Sequence, residues 1–341
     1  MFQTSFYDIE NRVTKLNQRD QLLKLNKLID WSIFKEPLET LRKPERKSAA
    51  GRKPFDSLLM FKGLLLQHLY NLSDEELEFQ IRDRLKFSRF LGLMDGRKVP
   101  DANTFWDFRE SLIKHDILKT LFDLFEAHIN STGFAAKKGQ IVDASFVEAP
   151  KQRNSREQNE TIKAGLIPEE FTKNDAVKRQ KDMDARWTKK NQEDHYGYKN
   201  HVTVDVKHTI IRNFIGTDAA VHDSQVMLDI LADIPNKRVF ADGAYRSQDM
   251  EEILYAVGNV SRIHERAYTN VPLTAKQLAS NKIKSKIRVR IEHVFGYIKT
   301  NLNGDFVRTI GKLRATAKVT LTNLVYNINR FCFLTTQGKS A

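Results

Sequence analysis

The pattern of apolar residues changes at Gln140, and this change constrains the fold more than any other feature of the chain. Before it, apolar residues recur at helical spacing and no segment predicts a strand. The segment Gln140–Val147, QIVDASFV, is β-branched and apolar between turn-forming residues, which predicts a buried strand. The sequence therefore predicts a helical domain over residues 1–135 and an α/β domain over residues 136–335.

The order of elements after the first strand predicts a mixed sheet. Strands at 198–206 and 209–217 follow as an antiparallel pair, and later short strands alternate with helices. This order is compatible with a ribonuclease-H-like arrangement, in which three antiparallel strands come first and parallel strands follow. The later elements are predicted as a helix at 222–234, a strand at 238–242, a helix at 247–257, a strand at 260–263, a basic helix at 282–300 and a last helix at 313–331.

A charged segment, residues 151–194, separates the first two strands and contains few apolar residues. It is predicted to be an insertion that is partly helical around residues 175–187. Trp187 lies among basic residues in this segment, so it could stack on an exposed base. Packing inside the insertion is the more common role for such a tryptophan, and both interpretations stay open here.

The N-terminal domain is predicted to bind DNA through helices. A charged linker at 42–56 precedes a long helix that ends near Tyr70, and the segment Ser73–Glu76 is a capping box that opens the next helix. Two helices joined by a tight turn in a basic chain resemble a helix-turn-helix DNA reader. The same pattern occurs at the packed corners of helical bundles, so direct readout of bases remains open.

The balance of charge favours an anionic partner. The chain has 56 Lys and Arg against 43 Asp and Glu, which gives a net charge of +13 and a pI near 9.6. Nucleic acid is the first expectation and an anionic membrane surface the second. Lys62 and Gln67 interrupt the longest apolar runs, so no membrane span is expected. The single Cys332 permits no internal disulfide and no cysteine metal cluster, which fits a reducing cytoplasm.

The segment Lys282–Thr300, KIKSKIRVRIEHVFGYIKT, predicts an amphipathic basic helix. Glu292 is a lone carboxylate among its cations, and taken alone it is most simply a solvated surface charge. By the helical wheel, Arg288 and Lys299 lie on the same side as Glu292, within about 40°. The predicted apolar stripe is Ile283, Ile287, Ile291, Val294 and Ile298, and the opposite side carries Lys282, Lys286, Arg290 and His293.

Two aspartates complete a set of three candidate catalytic carboxylates. Asp143 lies in mid-strand, so it must be paired, neutralised or bound to a cation. Asp242 ends a short strand, where sites are often built, although taken alone it is more simply explained as part of an Asp-Gly turn. With Glu292 they suit Mg²⁺ or Mn²⁺. Two such ions could activate the attacking oxygen and stabilise the leaving one, with Asp143 bridging both ions and Asp242 and Glu292 each holding one.

Motifs spread over nearly the whole chain carry a family resemblance. They are GRKPFDSLLMFKGLLLQHLYNLSDEELE at 51–78, VPDANTFWDFR at 99–109, IVDASFV at 141–147, DARWTKK at 184–190, YGYKNHVTVD at 196–205, VHDS at 221–224, VFADGAYRS at 239–247 and RVRIEHVFGYIK at 288–299. In them the chain resembles a DDE transposase of bacterial insertion sequences, of the insertion-sequence-five family. The resemblance implies a ribonuclease-H-like core, recognition of terminal inverted repeats, and catalytic carboxylates at Asp143, Asp242 and Glu292.

The related insertion-sequence-four family has a signature, Tyr-x2-Arg-x3-Glu-x6-Lys, that the basic helix matches in part. Its last three residues fall on Arg288, Glu292 and Lys299 at the right intervals. Its Tyr position is Ser285 here, so the chain departs from the pattern where that family has a side chain able to hold a flipped or bent DNA end. The predicted DNA-contact residues are Arg288, Lys299, Lys286, Arg290, Trp187 and Lys189. For Arg288 and Lys299, which could hold phosphates, a solvated or helix-packing role is an equal alternative.

The predicted activity is DNA transposition. Water would cut at each element end to free a 3′-OH, which would then attack target DNA. Double-stranded DNA is the expected partner, and a homodimer or higher oligomer would bring two ends together in the cytoplasm, on the bacterial nucleoid. Two alternatives remain: a ribonuclease-H-like nuclease that cuts without strand transfer, and a DNA-binding regulator with an inactive core.

Three histidines and one further aspartate are weaker candidates. His195, His201 and His222 could suggest zinc, but the chain offers them no cysteine partners. Asp223 falls at a strand-to-helix junction and is predicted to cap the following helix. A role in lining the site is the lesser alternative for Asp223.

Overall fold

The computed structural model describes residues 15, 19–41, 53–94, 98–190, 192–232, 238–267 and 271–337. The predicted linker at 42–56 therefore lies mostly outside the described residues. No helix within the described ranges has an apolar stretch long enough to cross a bilayer. The chain divides into two compact units, here called the helical unit, Met1–Ala127 with Leu324–Ala341, and the sheet unit, His128–Asn323.

The described part of the helical unit contains helices and no strand. Asp56, Ser73 and Asp101 each cap a helix by accepting a hydrogen bond from the backbone N–H three residues on, at 2.9, 3.1 and 2.8 Å. Phe34 and Phe61 pack in the core with ring centroids 5.0 Å apart. The helices are Gln21–Leu28, Lys35–Glu39, Ser57–Tyr70, Asp74–Asp83, Leu85–Leu91, Ala102–Lys114, Leu118–Ile129 and the C-terminal part of Lys312–Gln337.

The sheet unit is built on one mixed sheet, as the sequence predicts, and it has six strands where five are predicted. Strand β1 pairs antiparallel with β3 and parallel with β5, and β5 pairs parallel with β6. Both β2 and β4 pair antiparallel with β3, along different parts of it. The strands are β1 Gln140–Glu148, β2 Arg186–Lys190, β3 Glu193–Asp205, β4 Ile211–Asp218, β5 Arg238–Phe240 and β6 Val260–Ser261.

The insertion differs from its prediction at its C-terminal end. It contains the helices Arg156–Lys163, Glu169–Thr172 and Asp175–Gln180, so the predicted helix around 175–187 is right only for its first half. Trp187 instead lies on β2, opposite Tyr196 of β3. This hairpin lengthens β3 by five residues beyond the predicted start at 198. The sequence of β2 does not look like a strand because β2 lies at the edge of the sheet, where side chains that face solvent can be charged.

The predicted helix at 222–234 is shorter in the structure. A 3₁₀ turn, Asp223–Val226, and one helical turn, Met227–Ile230, end at Leu231, which has extended backbone. Asp223 was predicted to be the cap, and this is wrong, because His222 is the cap and its Nδ1 accepts from the N–H of Ser224 at 3.3 Å. Asp223 is therefore the first residue of the turn, and its carboxylate is available to other partners.

The basic helix spans Ala275–Leu302, seven residues longer at its N-terminus than predicted, and it packs on β1 and β5. Its stripe is buried at Ile291, Val294 and Ile298, whereas Ile283 is 65% exposed. In the N-terminal part, Lys284 takes the buried position. Its Nζ donates to the carbonyl of Ile263 at 2.8 Å and to Glu265 at 3.1 Å. The stripe prediction is therefore wrong at Ile283, because a paired lysine covers that end of the helix.

Candidate active site

Asp143 lies in the middle of β1, where its carboxylate is held from two sides. Oδ1 accepts from the backbone N–H of Ala144 at 2.9 Å, and Oδ2 accepts from Nη1 of Arg288 at 2.7 Å. Burial raises the pKa of Asp143 above its usual range, and the negative charge of Asp242 acts in the same direction. The hydrogen bond from Ala144 and the positive charge of Arg288 act against this rise without reversing it.

Asp242 lies two residues beyond the end of β5. The last pair of β1 and β5 is Ile141 with Phe240, and Asp143 and Asp242 each follow it by two residues, close enough for the charge of Asp242 to act on the pKa of Asp143. Asp242 also caps the 3₁₀ turn Gly243–Tyr245, where its Oδ1 accepts from the N–H of Gly243 at 2.7 Å. The side chain is 54% exposed. Asp242 can therefore cap the turn and also serve in a site, because Oδ1 forms the capping hydrogen bond and Oδ2 is left for other partners.

Glu292 reaches the same place from the basic helix. Its Oε1 accepts from Nη2 of Arg288 at 3.0 Å, and its side chain is 55% exposed. Arg288 therefore bridges Asp143 on the sheet and Glu292 on the helix. The structure thus pairs Arg288 with Glu292, two of the three residues that the helical wheel grouped. Lys299, the third, pairs with Asp305 at 3.1 Å and has a side chain that is 71% exposed.

His264 is a neighbour of the site that the sequence did not reveal. Its Nδ1 lies 3.9 Å from Oδ1 of Asp242, and its Nε2 lies 3.4 Å from the hydroxyl of Ser285. Burial lowers the pKa of His264, and the positive charge of Arg288 lowers it further. His264 therefore lies between Asp242 and Ser285, the residue that departs from the signature.

A second polar group, formed by Lys199 and Asp223, lies beside the turn that Asp242 caps. Lys199 of β3 donates to Asp223 at 2.9 Å and to the carbonyl of Val221 at 2.7 Å. The 3₁₀ turn that contains Asp223 packs against the turn that contains Tyr245. Tyr245 is 1% exposed, and its hydroxyl has no hydrogen-bond partner among the described residues. Burial raises the pKa of Tyr245, and the charge of Asp143 raises it further.

The three histidines considered for zinc serve separate local contacts. His195 stacks on Phe146 with ring centroids 4.0 Å apart and lies 3.2 Å from Glu148. His201 is fully buried, and burial lowers its pKa to about 4. His222 caps the 3₁₀ turn described above.

Comparison with known proteins places the chain in a family. A family model described as "Transposase DDE domain" matches residues 135–328, more than half of the chain. The chain belongs to the DDE transposase family. A second model, described as a transposase domain, matches residues 9–111. The predicted recognition of an insertion-sequence DDE transposase is confirmed, and the narrower insertion-sequence-five assignment stays a prediction.

Among solved structures, the transposase is similar to one chain of the cryo-EM structure of the piggyBac transposase synaptic complex with hairpin DNA. The TM-score is 0.47 and the sequence identity is 10%. The similarity covers 96% of this chain and 78% of that chain.

The donor set of the transposase suits a divalent cation. Carboxylate oxygens are the ligands that Mg²⁺ and Mn²⁺ prefer. Asp143 and Glu292 bind one guanidinium, and the charge of Asp242 acts on the pKa of Asp143. Within the described ranges, no three His, Cys, Asp or Glu side chains are grouped to hold an ion. In this arrangement the guanidinium of Arg288 occupies the space between two of the three carboxylates.

The other predicted DNA-contact residues of the transposase have varied surroundings. Lys189 and Lys286 are exposed, whereas Arg290 donates to the carbonyl of Val206. The side chain of Trp187 is 39% exposed, and its ring lies 4.9 Å from that of Tyr196. Trp187 also lines a cavity of about 100 Å³. The cavity is bounded by Asn154, Asn159, Ile162, Lys163, Asp182, Ala185, Arg186, Trp187 and Tyr196.

Proposed function

We propose that this transposase binds the terminal inverted repeats of its element, cleaves DNA at each end, and joins the freed 3′-OH ends to target DNA. Asp143, Asp242 and Glu292 are the proposed catalytic residues, on a ribonuclease-H-like core. The supporting observation is the bridge through Arg288, which links a mid-strand aspartate to a glutamate on a separate helix, beside the aspartate at the end of β5.

The three carboxylates would hold two Mg²⁺ or Mn²⁺ ions. When bound, the ions supply positive charge at the attacking and leaving oxygens of the phosphodiester. The protein itself orients the carboxylates that would bind the ions. The N–H of Ala144 orients Asp143, and the N–H of Gly243 orients Asp242. These backbone hydrogen bonds hold each carboxylate in one rotamer before DNA arrives, which lowers the cost of assembling the site.

DNA binding is proposed for the N-terminal helices and for the basic surfaces of the sheet unit. Lys286, Lys299 and Lys189 are exposed and can reach phosphates, and Arg288 and Arg290 lie on the same helix as Lys286. The half-exposed indole of Trp187 offers a stacking surface beside its cavity. Two or more subunits would hold two element ends together.

The test uses a linear duplex that contains the DNA flanking the coding sequence on both sides. The protein is incubated with this duplex and a target plasmid, with Mg²⁺, with Mn²⁺ and with neither. We expect metal-dependent nicks at fixed positions and a joined product. Cleavage without joining would favour the nuclease, and binding without cleavage would favour the regulator.

Asp242→Asn removes one proposed metal ligand, and Asp249→Asn makes the same change outside the proposed site as a control. Asp249 is exposed on the helix Gln248–Ala256, seven residues away in sequence. We expect the first variant to lose cleavage and the second to retain it. Equal activity of the two variants would remove Asp242 from the proposed site.

A further inference from the structure

Arg288 is placed on the carboxylates themselves rather than on the open surface of the basic helix. Its two terminal nitrogens are used separately, Nη1 on Asp143 at 2.7 Å and Nη2 on Glu292 at 3.0 Å. The side chain is 22% exposed, less than half of the exposed fraction of Glu292. Its Nε is buried and has no hydrogen-bond partner among the described residues. One cation is therefore held between two of the proposed metal ligands.

The oxygens that Arg288 occupies are those that a metal ion would need. Oδ1 of Asp143 already accepts from the N–H of Ala144, so the oxygen left for a metal ion is Oδ2, which Arg288 contacts. A divalent cation at that position would lie within a few ångströms of the guanidinium, and like charges so close repel strongly where solvent is partly excluded. The guanidinium and a divalent cation therefore compete for the same two carboxylates.

We propose that Arg288 is a resident counter-ion of the active site, which a divalent cation displaces from Asp143 on binding. This inference rests on the proposed function, since it assumes that the carboxylates hold metal. Until the metal binds, Arg288 keeps Asp143 and Glu292 aligned and neutralises part of their charge. It is a positioning residue, and it sets a lower metal affinity than the bare carboxylates would have.

The test is a titration of the DNA-free protein with Mn²⁺, in which free Mn²⁺ is followed by electron paramagnetic resonance. Arg288→Gln removes the counter-ion, and Lys282→Gln removes the same charge from an exposed position on the same helix. We expect Arg288→Gln to bind Mn²⁺ about fivefold or more tightly than the native protein. Lys282→Gln should stay within about twofold of the native protein, because a solvated charge is screened.

A second variant guards against misfolding of the first. Arg288→Lys keeps the charge, but its ammonium lacks the planar fork that spans two carboxylates. It should bind Mn²⁺ more tightly than the native protein and less tightly than Arg288→Gln. Mn²⁺ binding by either folded variant that equals or falls below native binding would overturn the proposal, since a supporting arginine would strengthen the metal site.

The titration separates this inference from the proposed function because it contains no DNA. Tighter Mn²⁺ binding by Arg288→Gln, together with a native protein that never cleaves DNA, would keep the counter-ion and reject the transposition chemistry. The reverse pattern, with normal cleavage and unchanged Mn²⁺ binding, would keep the chemistry and reject the counter-ion.

Discussion

Glu292 should matter greatly for catalysis and little for stability. Its only described ion pair is the bond to Arg288 on the same helix, and its side chain is 55% exposed. An exposed pair at this spacing contributes about 0.3–0.5 kcal/mol. Glu292→Gln should therefore lower the thermal midpoint by only about 1–2 °C. Loss of one group that stabilises charge at the reacting centre should lower the cleavage rate by about 10²-fold or more.

Glu265→Gln is the matched control, with the opposite expectation. Glu265 pairs with Arg246 at 2.5 Å and with the largely buried Lys284 at 3.1 Å. Burial acts to raise the pKa of Glu265, but the hydrogen bonds from Lys284 and Arg246 outweigh it and hold that pKa below its usual range. Loss of these charged hydrogen bonds should cost about 1–3 kcal/mol, while cleavage stays within a few-fold of native.

Differential scanning fluorimetry and a gel assay of end cleavage measure both quantities on the same preparations. The assignment would be refuted if Glu292→Gln cleaved DNA as fast as Glu265→Gln. It would also be refuted if Glu292→Gln lowered the midpoint more than the control, since Glu292 would then be a structural residue.

Three further predictions follow from single residues. Folding raises the pKa of Asp143, so ionising this carboxyl group destabilises the folded protein at a pH above the usual pKa of an aspartate. Asp143→Asn should therefore have a higher melting temperature than the native protein at pH 7. Scanning calorimetry should show this difference shrinking as the pH is lowered to about 4. Burial acts to raise the pKa of Asp205, but its hydrogen bonds and the buried Arg212 outweigh this effect and lower the pKa, so the stability that the ionised carboxylate contributes is lost as pH falls through that pKa. Asp205→Asn should lower the free energy of unfolding in urea by about 3–5 kcal/mol. A smaller decrease would refute a stabilising role of the buried Asp205–Arg212 pair. Trp187→Ala should weaken binding of flank DNA by about 1–3 kcal/mol in fluorescence anisotropy while Trp187→Phe retains it, and equal binding by the two variants would exclude stacking.

Strong local patterns allowed the sequence to locate the main elements of the site. Strand β1 has a continuous apolar run around Asp143, and the basic helix keeps its periodicity from Ile291 to Ile298. The helical wheel alone placed Arg288 beside Glu292. The position of each of these residues depends on a single strand or helix and on the spacing of apolar residues along it.

The parts that the sequence did not reveal depend on contacts between distant segments. His264 reaches Asp242 because the chain after β6 runs beside the end of β5, where the N–H of His264 donates to the carbonyl of Ala241 at 3.1 Å. Lys284 is buried because Glu265 and the carbonyl of Ile263 are available to it. Neither contact has a local signal, since each partner lies about 20 residues away along the chain or on another strand.

The central claim is that Asp143, Asp242 and Glu292 are ligands of divalent metal ions that support DNA cleavage. Replacement of Asp242 by cysteine tests it most directly, because the native side chain is half exposed and the change should disturb little else. Mn²⁺ accepts a thiolate ligand more readily than Mg²⁺ does. Asp242→Cys should therefore fail to cleave flank DNA in Mg²⁺ and recover cleavage in Mn²⁺, while Asp249→Cys behaves as the native protein in both. Full activity of Asp242→Cys in Mg²⁺, or no recovery in Mn²⁺ by a folded variant, would contradict the claim.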